Sequence, residues 1–299
     1  MKIGLIGLGR MGFNLALNAI DHRQEIVAFD ISHKEIQKIT AAGVIPAFSL
    51  KELVDQLPSK KIVWIMIPAG SSVDEVLDQL VQYLGSGSII IDGGNSFYKD
   101  SQKRQKALLE RGITFMDVGT SGGIEGARRG ACMMIGGDFN IFQVIEPFVK
   151  AVCVENGYGY MGESGAGHFV KMVHNGIEYG MMQAIGEGFD ILAQAPFQLD
   201  LKRVNRVFRH GSVIRSWLID LLEKELEQDL TLGKYTGQVS ASGEGQWALE
   251  EAGRMNIRVP VLEASVHART YSHTHPTFGS KVLSALRNGF GGHKELVKS

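Results

Sequence analysis

The feature that most constrains this chain is a run of three spaced glycines, Gly7-Leu8-Gly9-Arg10-Met11-Gly12, placed directly after the apolar stretch Lys2 to Ile6 and directly before residues of helical periodicity. Such a run alone is weak, but a strand before it and a helix after it select one local geometry, the strand, tight turn and helix of a dinucleotide-binding unit. Gly7 permits the turn, Gly9 lets backbone amides approach a pyrophosphate, and Gly12 lets helix and strand pack closely. The helix start then offers unpaired amides and a partial positive charge to the phosphates. Residues 7 to 12 are therefore the candidate cofactor-binding segment.

The pattern continues beyond the first unit. Apolar runs at Lys2 to Ile6, Glu25 to Asp30, Ile62 to Ile67, Ser88 to Asp92 and Thr114 to Asp117 alternate with helix-like segments, which predicts parallel strands joined by crossover helices. Their near-continuous apolar character predicts burial on both faces. From about Gly165 the chain changes to long amphipathic stretches, Ala166 to Ala195 and Asp200 to Glu227, with few strand signals. The expected fold is an α/β Rossmann-type N-terminal domain with a mostly parallel, doubly wound sheet over residues 1–162. An all-α C-terminal domain follows over 163–299, the boundary lying in the turn-rich residues 156–165.

Charge excludes several partners. With 31 basic and 32 acidic residues and a net charge of -1, the chain has no electrostatic footprint for nucleic acid or an anionic membrane surface, so a small-molecule substrate is expected. Cys132 and Cys153, the two cysteines, are too few for a disulfide framework and read as buried apolar side chains in a reducing compartment. The apolar stretch Ile62 to Ala69 is far shorter than the roughly twenty residues a membrane span needs, and a cytoplasmic protein is expected. The arginines at 203, 206 and 209 and the segment Glu223-Lys-Glu-Leu-Glu read as solvated helix faces.

The second predicted strand ends at Asp30, the distance along at which an acidic residue meets an adenosine ribose 2′-hydroxyl. A 2′-phosphate there would face like charge, so NAD is favoured, while His33 and Lys34 leave NADP possible.

A second constellation lies near the start of the helical half, in Gly165-Ala-Gly-His-Phe-Val-Lys171-Met-Val-His174-Asn175-Gly-Ile-Glu178-Tyr179. On a helix, residues 171, 174, 175 and 178 fall at i, i+3, i+4 and i+7 and share a face. Apolar flanks predict burial of that helix, and a buried lysine can be neutral and work as a base. Lys171, His174, Asn175 and Glu178 thus form a polar face rich in candidate proton-transfer groups.

Here the chain resembles the short form of the 6-phosphogluconate dehydrogenases, within the β-hydroxyacid dehydrogenase superfamily. The resemblance rests on Gly165 to Tyr179 and on three further segments: Asp92-Gly-Gly-Asn95-Ser96, Gly119-Thr-Ser121-Gly122-Gly123-Ile-Glu-Gly-Ala-Arg, and Arg287-Asn-Gly-Phe-Gly-Gly-His293. It implies oxidative decarboxylation of 6-phosphogluconate to ribulose 5-phosphate, in the pentose phosphate route or gluconate catabolism, with Lys171 and Glu178 as the catalytic pair and no metal required. It further implies that Ser121, Gly122 and Gly123 with His174 and Asn175 hold the substrate carboxylate and hydroxyls, and that Asn95 bridges substrate and nicotinamide. Tyr179, Arg269 and Arg287 would meet the phosphate. The tail carrying Arg287 and His293 would reach a neighbouring active site, which implies a homo-oligomer, a dimer or a multiple of it. The chain departs from the family pattern at Ser242, where the long forms carry a phosphate-binding lysine, and at Ile124, where an acidic residue is expected. Glu244 would sit near the phosphate.

Two other readings share parts of this pattern. A 3-hydroxyisobutyrate or tartronate semialdehyde type of dehydrogenase would keep the glycine run, Ser-Gly-Gly and the lysine, but would not need a second acid at Glu178 or arginines for a phosphate. A nicotinamide-binding protein without catalysis would not need the pair Lys171 and Glu178, since fold alone does not guarantee function.

Overall fold

Strands that are apolar on both faces bury that surface only when helices cover the sheet from both sides. The computed structural model describes residues 1–295 and 297. Its sheet-forming part runs β1 (Lys2–Ile6), α1 (Arg10–Asp21), β2 (Glu25–Phe29), α2 (His33–Thr40), β3 (Ile45–Pro46), α3 (Leu50–Asp55), β4 (Ile62–Ile65), α4 (Ser71–Leu80), β5 (Ile89–Asp92) and α5 (Tyr98–Leu109). It continues with β6 (Thr114–Ser121), α6 (Gly123–Arg129), β7 (Ala131–Gly136), α7 (Phe139–Val152) and β8 (Cys153–Gly162). The strands form one sheet in the order β3-β2-β1-β4-β5-β6-β7-β8, parallel throughout except for the antiparallel pair of β6 and β7. The order reverses between β1 and β4, the crevice at which ligands bind in open sheets of this kind.

Alternation along the strands distributes the core to the two faces. Ile89 and Ile91 of β5 pack with Leu15, Trp64 and Phe148 on one side, while Ile90 packs with Leu53, Leu77 and Phe115 on the other. The five expected strands are present with ends within a few residues, β6 extending furthest, to Ser121. The strands β3, β7 and β8 were not among those expected. β3 has two residues, and β8 carries Glu155, Asn156 and three glycines, so its pairing with β7 rather than local composition makes it a strand.

The helical part comprises α8 (Ala166–Ala193), α9 (Leu201–Arg209), α10 (Trp217–Gln228), α11 (Glu244–Arg254), α12 (Pro260–Ser272) and α13 (Phe278–Gly291). By contact density the chain divides into Met1–Met172 and Val173–Ser299. The first unit therefore takes in the opening turns of α8. In the second unit Met182, Phe189, Leu222, Tyr235, Val282 and Leu286 belong to one apolar core. The expected single stretch from Asp200 to Glu227 is two helices, because Gly211 adopts φ +80°, outside the helical region.

Two expectations about surface and burial change. Arg203, Arg206 and Arg209 are exposed as expected, and Arg206 and Arg209 pair with Glu223 and Asp220 of α10. Glu223 and Glu225, however, are buried rather than solvated. Glu223 accepts hydrogen bonds from Asn205 and Arg206 and Glu225 from the Tyr235 hydroxyl, so tertiary partners stand in for water. Cys132 and Cys153 are free and half-buried rather than buried, and burial pushes the Cys153 thiol up to about 12.

Candidate functional site

The glycine run of the first unit has the geometry a dinucleotide requires. Gly7 takes φ +96°, and a Cβ there would lie 2.5 Å from the Met66 carbonyl oxygen at the end of β4. A Cβ on Gly12 would collide with the Gly7 carbonyl, which is how closely α1 packs, whereas nothing lies within 4 Å of a Cβ on Gly9. That open space faces the start of α1, where no side chain caps the helix and no acidic residue occupies the first turn. A pyrophosphate fits this environment. Leu8 is buried, Met11 is half-buried, and Arg10 is exposed.

Asp30 stands just beyond β2 and organises the same loop. Its Oδ2 accepts from the Leu8 amide at 2.6 Å and its Oδ1 from the Ser32 amide at 2.7 Å. Each carboxylate oxygen keeps a further lone pair for a ribose hydroxyl. The carboxylate thus shapes the turn as well as offering an acceptor.

Asn95 is exposed beyond β5, on a loop tied down by a carboxylate that sequence reasoning did not single out. Asp92, fully buried, accepts from the Ser96 hydroxyl at 2.6 Å and the Gly94 amide at 3.1 Å. Arg104 sits 3.5 Å from Asp92 and donates to Asp74 at 2.7 Å and to the Gly70 carbonyl at 3.0 Å. Next along the sheet, β6 ends at Ser121, followed by Gly122 and Gly123 at φ +104° and +58°. All three are half-buried.

Lys171 is held against this strand end. It is 6% exposed, and a Cβ on Gly119 would come closer to its Cβ and Cγ than real side chains allow, with Cγ at 2.9 Å and the Gly167 carbonyl at 3.1 Å. Gly136 and Gly167 have the same close fit to each other. Asp117, also fully buried and also unforeseen, supplies the cap: its two oxygens accept from the Gly165 amide at 2.7 Å and the His168 amide at 2.8 Å. The carboxylate satisfies two of the amides a helix start leaves unpaired and complements its partial positive charge. A hydrogen bond of 2.7 Å between Ser101 and His168 Nδ1 and an edge contact between Tyr98 and Phe169 complete the grip. No local signal marks Asp117, because its partners lie 48 and 51 residues along the chain.

Helix α8 runs unbroken from Ala166 to Ala193, so Lys171, His174, Asn175 and Glu178 share one face, as the spacing predicts. In the second unit, His174 Nδ1 lies 3.0 Å from Asn175 Oδ1 and 4.0 Å from Glu178 Oε2. Tyr179, buried, lays its ring against Arg269, whose guanidinium carbon is 3.2 Å from the ring centre. Arg269 is buried too and donates to the Ser240 carbonyl at 3.2 Å. Burial, with nearby Arg287 adding to it, lowers its pKa to about 10, against the opposite pull of Tyr179, Glu178 and Glu295. Arg287, on α13, is buried in an ion pair of 2.8 Å with Glu295. His293 is half-buried against Phe290.

Ser242, where a lysine was expected from the long forms, donates to Glu244 at 2.5 Å. Glu244 is buried in the first turn of α11, and Gly245 packs directly on the Tyr179 ring. Among the described residues no group of three or more His, Cys, Asp and Glu side chains is placed to hold a metal ion.

Comparison with known proteins gives a consistent result. Residues 2–162 match the family described as the NAD binding domain of 6-phosphogluconate dehydrogenase, and residues 167–281 match the one described as the 6-phosphogluconate dehydrogenase C-terminal domain. The chain is 47% identical to Bacillus subtilis YqeC, named as a candidate 6-phosphogluconate dehydrogenase, over 98% of each chain. It is 40% identical to the NAD(+)-dependent, decarboxylating 6-phosphogluconate dehydrogenase of Haloferax volcanii, over 100% of this chain and 99% of that one. Among solved structures, Plasmodium falciparum 6-phosphogluconate dehydrogenase superposes with a TM-score of 0.82 at 29% identity, covering 100% of this chain and 66% of that one.

Proposed function

The chain belongs to the 6-phosphogluconate dehydrogenase family, and from that premise we propose that it oxidises and decarboxylates 6-phospho-D-gluconate to D-ribulose 5-phosphate and carbon dioxide while reducing a nicotinamide dinucleotide. The observation that carries this reading is a buried lysine gripped at the end of β6, two residues from Ser121, on a helix that continues without a break through Glu178.

Bound nicotinamide supplies the acceptor for the hydride. Lys171, in its neutral form, takes the proton of the carbon-3 hydroxyl. The resulting ammonium donates to the new 3-keto oxygen and stabilises the charge that builds there as the carbon–carboxylate bond breaks and its electron pair moves into the enediol. Glu178 delivers a proton to the carbon that carried the carboxylate, which becomes carbon-1 of ribulose 5-phosphate, and the carbonyl re-forms on the oxidised carbon, now carbon-2 of the ketose. Ser121, Gly122, Gly123, His174 and Asn175 hold the carboxylate and hydroxyls, and Asn95 bridges sugar and nicotinamide. The phosphate goes to Tyr179, Arg269 and Arg287, since guanidinium forks match phosphate oxygens.

NAD is preferred over NADP, because a 2′-phosphate would stand beside the Asp30 carboxylate. The enzyme works as a homo-oligomer in which the C-terminal tail completes a neighbouring site, while Arg287 itself lies near Arg269 of its own chain. Support for association comes from the exposed apolar stripe Val173, Ile177 and Met181 along α8, with exposed Val261 of α12 beside it. No helix among the described residues is long and apolar enough to cross a membrane, in keeping with a cytoplasmic enzyme.

The test is to follow nicotinamide absorbance and released carbon dioxide together on mixing the chain with 6-phosphogluconate and either NAD or NADP. Equal rates of both signals, faster with NAD, are expected. Absorbance without gas would point to a simple hydroxyacid dehydrogenase, and neither signal to a binding protein. The Lys171→Met variant should keep cofactor affinity and lose turnover.

A further inference from the structure

One place in the helical unit holds more idle hydrogen-bonding capacity than a folded interior normally tolerates. Arg269 Nε and Nη2, the Tyr179 hydroxyl and Glu295 Oε2 are all buried, and none has a partner among the described residues. The other oxygen of Glu295 is fully used. It accepts from Arg287 Nε at 2.8 Å and from the Ser240 amide at 3.0 Å, while the Ser240 carbonyl accepts from Arg269 Nη1 at 3.2 Å. Ser240 therefore links Arg269 to the carboxylate that Arg287 pairs with directly. Both Arg287 and Glu295 lie near enough to Arg269 to act on its charge, in opposite senses.

Charge decides what this cluster prefers. Arg269, Arg287 and Glu295 are each at least nine-tenths buried and together keep one positive charge in excess. A phosphoryl group carries nearly two negative charges at neutral pH. Brought to the two arginines it would neutralise them if the Glu295 carboxylate were absent; with the carboxylate in place it meets a like charge at short range in a poorly screened interior. Carboxylate and phosphate also compete for the same guanidinium edge, because each is a planar or tetrahedral set of oxygens that takes paired N–H donors.

We infer that Glu295 is a specificity-determining residue: its carboxylate holds Arg287 in the unliganded chain and competes with an incoming phosphoryl group for it, so that Glu295 sets how strongly the site takes phosphorylated sugar acids. The inference rests on the reading above that the substrate is phosphorylated at the end facing Tyr179, Arg269 and Arg287. It explains why a carboxylate with one unpartnered oxygen is kept inside an arginine pair. It also gives the site a threshold, since only an anion that outbids a carboxylate gains Arg287.

The experiment measures binding of inorganic phosphate to the full-length chain by titration calorimetry, in wild type and in Glu295→Gln, together with 6-phosphogluconate turnover. The amide keeps the shape and an acceptor for Ser240 but removes the charge. Phosphate Kd is expected to fall at least fivefold in the variant and KM for 6-phosphogluconate to fall with it. An unchanged or raised Kd would overturn the inference, since a carboxylate that only anchored Arg287 would cost affinity when lost. Wild-type protein gives a second readout that needs no variant: saturating inorganic phosphate should speed hydrogen exchange of the Ser240 amide as the carboxylate lets go of it, and slower exchange there would count against displacement. If phosphate binds more tightly to the variant yet 6-phosphogluconate is not turned over, the substrate reading fails and the competition by Glu295 stands. Normal turnover with an unchanged phosphate Kd has the opposite meaning.

Discussion

Gly119→Ala probes the placement of Lys171 most directly. The added methyl would sit inside contact distance of Lys171 Cβ and Cγ and 3.1 Å from the Gly167 carbonyl. These atoms cannot swing away as the tip of a side chain could, because Lys171 Cβ and the Gly167 carbonyl are fixed by α8, and α8 is pinned by Asp117. Restoring ordinary contact of 3.4 Å or more moves the helix by about 1 Å, a displacement that can cost on the order of 100-fold in rate when it misaligns a reacting group. Overpacking of this kind also costs about 1–3 kcal/mol of stability. Steady-state kinetics with 6-phosphogluconate, NAD affinity by fluorescence and a melting curve separate the effects. The expected result is a loss of about 100-fold in kcat, unchanged NAD affinity and a moderate fall in Tm. A fall in Tm with kcat preserved within a few-fold would refute the claim that this strand end positions the lysine.

Tyr179→Phe should split stability from affinity: removing a buried, unpartnered hydroxyl leaves Tm level or higher, whereas losing a hydrogen bond to a charged phosphate raises KM by about tenfold, on a bond of about 1.5 kcal/mol. Asp117→Ala strands the buried amides of Gly165 and His168, at a cost of about 1–3 kcal/mol each, and Asp117→Asn, which keeps one acceptor, should cost less; equal melting points for both variants and wild type would show that the cap is idle. Ile177→Glu, at a position 61% exposed, should shift stability by no more than about 0.5 kcal/mol within one chain yet shift the species seen by light scattering to a smaller one, and an unchanged mass would remove the α8 stripe from the association surface.

Much of the first unit was legible because its determinants are local. The glycine run needs only its flanking strand and helix to be read, and Gly7, Gly9 and Gly12 meet the three geometric demands expected of them. The alternation of apolar runs and helices likewise predicts the parallel sheet, since burial on both faces is written in composition. The face of α8 follows from the period of the helix alone. What could not be read shares one property, dependence on a partner far along the chain. β8, with its glycines and Asn156, is a strand because β7 lies beside it. Glu223 and Glu225 look like solvated charges until Asn205, Arg206 and Tyr235 are brought to them.

Residue types and spacing by themselves determined which groups this protein can use: a pyrophosphate turn, an acidic residue at the end of β2, a lysine and a carboxylate on one helix face, and arginines suited to an anion. Only the tertiary structure decided how those groups are held. Asp117 caps the helix that carries Lys171, Asp30 binds the turn beside it, and Glu295 pairs with Arg287. Each is a carboxylate whose role is set by the donors folded around it, and the cost of leaving a buried charge or amide unpaired is a property of those surroundings, which a string of residues does not contain.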